Sequence, residues 1–472
     1  MKNSLLLLCL CTLVLMMTGC VENEPEAKNA VSEITEIPEL IPWNYHEDHE
    51  NGKNDNDSVN VTKKETKEEN QKKTEEETEK ETAGLPSSYN YIEENRMPII
   101  RNQGNTNTCW AFAALSALES SKDEDVKNAY SVDHLVHHNP FEREFEDGGA
   151  YTVTTAYLLA WEGPVTEEAD PFDGESPEDL SACVHVQEVR QSEPKDYEAI
   201  KRFVYLYGGV ETALYLDFDE TMTESSYYNK ETNAYCYLGE QPSNHDLVIV
   251  GWDDNYLAEN FVGDVQQNGA FLCQNSWGEN FGDGGTFYVS YEDVNIGGYG
   301  VVYSRIDSVD NYDRIYQADL CGYTAQIGYG EESAWFANVY STEEEILVRA
   351  AGFYATGKNT SYKIYMVDQF TGEESFKEKT LICKGKLEDA GYYTIDFPEG
   401  ISVESGEFAV VVEITTEGAE YPVAIECPVD GLSEKADFTD GKGYLSYQGN
   451  LWEHVEATKN YNICLKAYAD IQ

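Results

Sequence analysis

A chain of 472 residues with 32 basic and 88 acidic side chains carries a net charge of −56, so a phosphate backbone would be repelled and nucleic acid is excluded as a partner. With 41% hydrophobic and 12% aromatic residues, it has enough apolar surface to fill two or three cores at about 100 to 200 residues per domain. The longest apolar run, Leu5 to Met17, falls short of the roughly twenty residues a membrane-spanning helix needs.

That run follows Lys2 and ends in Met16-Met17-Thr18-Gly19-Cys20, the pattern of an export signal. The Thr-Gly-Cys ending resembles a bacterial lipoprotein signal, although Met17 is a less usual residue at its place. The resemblance implies that residues 1–20 end at a lipidated Cys20. Attachment to the membrane is then by lipid anchor alone, at the cell surface. An ordinary secretory signal with an incidental cysteine is the alternative. Residues 21–84 hold 8 basic and 19 acidic side chains, and Thr62 to Thr82 has no apolar residue. No face is available there for packing, so the segment reads as an acidic disordered linker.

Of eleven cysteines, eight remain beyond Cys20, at wide and irregular spacing. No C-x-x-C pair occurs, which argues against a zinc ribbon or a dithiol redox motif, and no metal or cofactor is expected. Several of these cysteines read as buried thiols.

Ordered sequence begins near Leu85-Pro86 and reaches Asn102-Gln103-Gly104-Asn105-Thr106-Asn107-Thr108-Cys109-Trp110-Ala111-Phe112. Cys109 to Ser120 lacks Gly and Pro and predicts a buried helix with Cys109 in its first turn, where the helix N-terminus favours thiolate. A nucleophilic thiol needs a base. Among eight histidines, His245 stands apart, between Asn244 and Asp246 at the head of Leu247-Val248-Ile249-Val250-Gly251-Trp252, a run that predicts a strand buried on both faces. Ala270 to Cys273 predicts a second strand delivering Gln274-Asn275-Ser276-Trp277-Gly278, and an amide at that strand end can accept an imidazole N–H and fix its tautomer.

Gln103, Cys109-Trp110-Ala111-Phe112, Asn244-His245 and Asn275-Ser276-Trp277-Gly278, in this order and with the cysteine and histidine 136 positions apart, resemble the papain family of cysteine peptidases. The resemblance implies Cys109 as nucleophile, His245 as general base and Asn275 as the group orienting the imidazole. It gives Gln103 an oxyanion-hole role beside the Cys109 backbone N–H, and Trp277 the shielding of the His245–Asn275 bond. Asp147-Gly148-Gly149 resembles the family's substrate platform, and Asp246 would lie at the wall of the pocket for the second residue before the scissile bond, where it would favour Arg or Lys. The family's usual disulfide is missing at both ends, with Thr106 and Glu146 in its places, and Asn107 replaces a usual glycine. The spacer lacks the apolar periodicity of an inhibitory helical prodomain.

Beyond about Ile306 the pattern changes to short strands, such as Tyr362 to Met366 and Phe408 to Ile414, separated by Gly- or Asp-rich turns. They predict an antiparallel sandwich, and its place after a papain-like domain resembles bacterial proteins with a lectin-like module. A carbohydrate ligand would follow from that, with Trp335 and Trp452 available to stack on sugar. The expected architecture is α+β: a two-lobed peptidase, helical lobe plus β lobe, at 85–306, and an all-β sandwich at 307–472. The expected activity is hydrolysis of peptide bonds in a peptide or protein substrate through a thioester acyl-enzyme. The competing expectation is a non-catalytic or acyl-transferring envelope protein whose β-domain binds glycans or partners.

Overall fold

The computed structural model describes residues 32–36, 84–121, 129–219, 221–429, 433 and 437–472. The signal segment with Cys20 lies outside them, as does most of the acidic spacer. Within that spacer, however, strand β1 (Ser32–Glu36) is described. The sequence around it, Val31-Ser32-Glu33-Ile34-Thr35-Glu36-Ile37, carries the apolar β-branched residues Val31, Ile34 and Ile37, of a kind that Thr62 to Thr82 lacks. No helix among the described residues is long and apolar enough to cross a membrane.

The helical lobe is built on α1 (Cys109–Glu119), whose residues Trp110 to Leu118 are all buried. An Ala-rich helix with no charge before its last residue can be enclosed on every side, and α2 (Val132–His138) and α3 (Tyr151–Leu159) pack against it. Ser131 caps α2, accepting from the His134 N–H at 2.9 Å, a standard first-turn bond. A further helix, α4 (Tyr197–Leu206), is started by Asp196, which accepts from Ala199 N–H at 3.0 Å.

The β lobe contains β2 (Ser88–Asn90), β3 (His185–Ser192), β4 (Val210–Leu214), β5 (His245–Asp253), β6 (Ala270–Gln274), β7 (Thr286–Ser290) and β8 (Gly300–Asp307). Their order in the sheet is β3-β8-β4-β5-β6-β7, with β2 on β5. Every residue of β5 but Asp253 is buried, with α1 and α4 both packed on the strand. Register pairs Val248 with Gln274, which brings His245 and the loop after β6 to the same end of the sheet.

The C-terminal part has β9 (Ala325–Gly328), β10 (Ser333–Thr342), β11 (Ile346–Ala355), β12 (Thr360–Val367), β13 (Thr380–Leu387), β14 (Ala390–Val403), β15 (Gly406–Thr415), β16 (Val423–Glu426) and β17 (Gly443–Ser446). A short helix, α5 (Val455–Lys459), precedes β18 (Asn462–Ile463) and β19 (Leu465–Ile471). One layer runs β13-β12-β15-β10-β17 and the facing layer β19-β11-β14. Phe336, Phe408, Val410 and Val412 meet Val348, Phe353, Leu465 and Ala467 between them. Strand β1 pairs antiparallel with β9, Thr35 opposite Gln326.

The two parts are not strung apart on a linker. Strand β14 pairs with β3, Ala390 opposite Gln191 and Tyr393 opposite Glu188, so one hydrogen-bonded sheet of 13 strands runs through both. Asp389, 3% exposed, receives Arg190 at 3.3 Å and Arg202 at 2.6 Å. Tyr354, Tyr392 and Cys464 belong to the core of the N-terminal part.

Candidate active site

Cys109 is the first residue of α1 and is half-buried. Two turns of irregular chain before it are held by Gln103, whose backbone N–H donates to Ser276 O at 2.9 Å. The Gln103 side chain is fixed at both ends: its Nε2 donates to Thr106 O at 2.8 Å and its Oε1 accepts from Ser276 Oγ at 2.6 Å. One amide proton of Gln103 therefore remains for a ligand. Ser276 was not singled out in the sequence, although it stands inside the Asn-Ser-Trp-Gly run.

His245 opens β5 and is 8% exposed. Its Nε2 lies 2.7 Å from Asn275 Oδ1. That same oxygen accepts from the Ser276 N–H at 2.8 Å, which fixes the amide orientation, so Nε2 must carry the proton and Nδ1 is left as the basic nitrogen. Trp277 covers the pair, its ring 5.0 Å from the imidazole centroid, and is itself braced edge-on by Phe218 and Phe281 at 5.3 and 4.9 Å.

Burial pushes the imidazole down to about 4 against the opposing bond from Asn275. Burial pushes the Cys109 thiol up to about 12, with the Asp246 carboxylate adding to it. The backbone N–H groups of the first turn act the other way, so the helix N-terminus is present but does not win. Both shifts favour the neutral thiol and imidazole over the ion pair.

Asp246 is 7% exposed. Its Oδ1 accepts a 2.5 Å bond from the Tyr299 hydroxyl, and its Oδ2 is 4.0 Å from Cys109 Sγ. The carboxylate thus faces the sulfur, whereas the imidazole is governed by its burial and by the hydrogen bond to the neutral Asn275 amide. Its own pKa is pushed up to about 6 by burial, opposed by Tyr299. Glu211 of β4 lies on the same side, fully buried with neither oxygen partnered. Burial, then Asp246, holds it well above the usual carboxylate range. A carboxyl side chain inside the short run Val210-Glu211-Thr212-Ala213-Leu214 was the sequence signal that went unread.

Gly148 has φ +70° and open space where a Cβ would stand. At Gly149 a Cβ would sit 2.6 Å from the Trp110 ring, so that position admits no side chain unless the indole moves. In the place of the family's usual disulfide, the Asn107 side chain donates to Glu146 O and its backbone N–H to Phe145 O, each at 2.9 Å. Asn107 is not among the residues with positive φ, so it serves as a clamp rather than as a substitute for glycine. The eight described cysteines are all free thiols, five of them buried.

Residues 85–303 match the model of the papain family of cysteine proteases and residues 315–469 that of a lectin-like domain. The chain carries a papain-family cysteine protease domain. Mouse cathepsin K is 22% identical over 43% of this chain and 58% of its own length, and mouse cathepsin J 26% over 45% and 62%. The chain thus spans about three fifths of the curated relatives it matches. The structure of the cysteine protease and lectin-like domains of Cwp84, a surface layer associated protein of Clostridium difficile, is 26% identical and covers 83% of this chain and 90% of that one, with a TM-score of 0.72. A second structure, Cwp84 after propeptide cleavage, gives the same TM-score at 25% identity, covering 82% of this chain and all of that one. These likenesses span the protease domain together with its lectin-like neighbour.

Proposed function

We propose that this protein is a surface-tethered cysteine endopeptidase in which Cys109, His245, Asn275 and Gln103 carry the chemistry. The observation that carries this reading is the 2.7 Å bond from His245 Nε2–H to Asn275 Oδ1, which leaves Nδ1 as the base at the same end of the sheet where Cys109 begins α1. His245 Nδ1 takes the thiol proton as sulfur bonds to the scissile carbonyl carbon, and the carbonyl π electrons move to oxygen. That oxyanion is met by the Cys109 N–H and by the free proton of Gln103 Nε2. Collapse breaks the C–N bond, the imidazolium protonates the leaving amine, and a thioester remains. Water, deprotonated by His245, attacks the thioester and releases acid and thiol.

Gly148 and Gly149 form the edge along which the substrate backbone lies, and Asp246, beside the sulfur, selects Arg or Lys at the second residue before the scissile bond. The Thr18-Gly19-Cys20 ending supports a lipid anchor, and the surface-layer association of Cwp84 supports a surface location. A carbohydrate ligand for the lectin-like domain rests on its family name alone, since Trp335 is packed on Tyr365 at 5.2 Å and Trp452 on Phe376 at 4.4 Å. The test is a peptide-library digest with the purified protein, before and after treatment with a thiol-alkylating epoxide. Cleavage blocked by one epoxide per chain on Cys109, located by mass spectrometry, is expected; cleavage that survives full modification of Cys109 refutes the reading.

A further inference from the structure

Beside Asn275 lies a cavity of about 10 Å³, walled by α1, by the start of β5, by the run Gln274-Asn275-Ser276 and by Arg101. That is about the space one water molecule needs. Three buried polar atoms of these wall residues have no hydrogen-bond partner among the described residues: Asn275 Nδ2, Gln274 Oε1 and Arg101 Nε. Asn275 and Gln274 are 2% and 3% exposed, and the Arg101 side chain 12%. Buried polar groups are ordinarily paired, so three on one small cavity call for a common partner.

Each of the three is what remains after the rest of its side chain is committed. Asn275 Oδ1 accepts from His245 Nε2 and from the Ser276 N–H at 2.7 and 2.8 Å, so the amide nitrogen is turned away from both. Gln274 Nε2 donates to Ile99 O at 3.3 Å, and its oxygen is left over. Arg101 Nη1 donates to Tyr130 O and Nη2 to Glu119 Oε1, both at 2.7 Å. Its guanidinium also lies 5.3 Å from the centre of the Phe112 ring, so the Nε–H is fixed in place.

The chemistry of these atoms selects the occupant. Two N–H donors repel a cation, whose neighbours must be acceptors, and the Gln274 amide oxygen repels an anion. What fits is a neutral molecule that both accepts and donates, and at this volume that is water.

We propose that one water fills this cavity, accepting from Asn275 Nδ2–H and Arg101 Nε–H and donating to Gln274 Oε1, and that Gln274 and Arg101 are thereby positioning residues for Asn275. The role rests on the peptidase reading, in which Asn275 orients His245. Ser116 of α1, on the same walls, offers its hydroxyl to the second water proton. The Asn275 amide is then held at both ends, its oxygen by the Ser276 N–H and its nitrogen by the water. An amide held through its oxygen alone can tilt, and the imidazole bonded to it tilts as well. Arg101 carries the link further, because it is paired with Glu119, the last residue of the helix whose first residue is Cys109. The water therefore joins the amide that sets the imidazole to the helix that presents the sulfur.

One test reads the cavity without reference to activity. A high-resolution crystal structure of the wild-type protein is expected to show one ordered water within about 2.7 to 3.2 Å of Asn275 Nδ2, Gln274 Oε1 and Arg101 Nε. A dry cavity, or a water that misses Asn275 Nδ2, overturns the proposal whether or not the protein cleaves peptides; a wild type that cleaves no peptide refutes the peptidase reading instead. The other test is kinetic. Gln274→Met keeps the length of the side chain and removes the acceptor; it is expected to lower kcat about tenfold with KM unchanged, since a tilted imidazole slows the chemistry and leaves substrate contacts alone. Gln274→Glu returns an oxygen to the water and is expected to recover most of that loss. Wild-type kcat in Gln274→Met, a loss confined to KM, or no recovery in Gln274→Glu would each overturn the positioning role.

Discussion

Asp246 faces the nucleophile with a carboxylate, and replacing it by Asn removes the charge while keeping an oxygen for the Tyr299 hydroxyl, now 2.5 Å away. At the observed 4.0 Å from Oδ2 to Sγ, a full thiolate and carboxylate would repel by about 4 kcal/mol at an effective dielectric constant of about 20. That is about three pKa units, at about 1.4 kcal/mol each. Cys109 is only half-buried, so solvent reduces the effect, to about one to two units. The sign follows from Asp246 itself. Its pKa is near 6, so the carboxylate is charged above that pH, opposes thiolate formation there, and ceases to do so once protonated. The rate of alkylation by an uncharged reagent, which rises with the thiolate fraction, is compared along its rising limb from about pH 5 to 11 in wild type and Asp246→Asn. The variant's curve should be displaced to lower pH by about one to two units, with faster alkylation at neutral pH. Superimposed profiles, or a variant curve displaced to higher pH, would show that the carboxylate does not act on the sulfur. A basic substrate side chain that neutralises Asp246 would then favour the thiolate as it binds.

Cys109→Ala should abolish peptide cleavage, while Asn275→Ala should lower kcat by about 10- to 1000-fold and leave a residual rate from the surviving pair; equal losses in both would mean that the amide does more than orient. Cys20→Ser should move the protein from membrane to soluble fraction, because about 0.8 kcal/mol per buried acyl CH2 is what would hold it; an unlipidated Cys20 in the native mature protein refutes the anchor. A chain ending near Asp310 should be markedly less stable than the full chain, since it strips β14 from the edge of β3 and Asp389 from Arg190 and Arg202 and leaves the shared apolar core without Tyr354, Tyr392 and Cys464. A truncation that melts as the whole protein does would refute a shared interface.

The candidate site was legible because its chemistry sits in short local runs. Cys109 at a polar-to-apolar boundary, His245 at the head of an unbroken apolar strand and Asn275 beside Trp277 are each marked by their immediate neighbours, and the helix expected from Cys109 to Ser120 ends one residue earlier, at Glu119. What stayed hidden depends on distance in sequence. Tyr299 and Glu211 join Asp246 only through strand order β8-β4-β5, which no local pattern encodes. The raised thiol pKa is equally a property of enclosure: the first-turn N–H groups can be inferred from sequence, but the burial that outweighs them cannot.

The junction between the domains shows the same limit and gives it a consequence. The sequence pattern changes after Ile306, yet β14 returns to pair with β3, and Lys358 forms an ion pair with Asp196, the cap of α4. The sandwich is therefore attached to the peptidase lobe through backbone hydrogen bonds, a shared core and buried charge. An interface of this kind resists rotation in a way a flexible connector cannot. Whatever surface the lectin-like domain engages would hold the cleft at a fixed orientation to it. Cleavage would then be restricted to chain segments presented at one height and angle, a form of selection that does not require a tight pocket for any side chain.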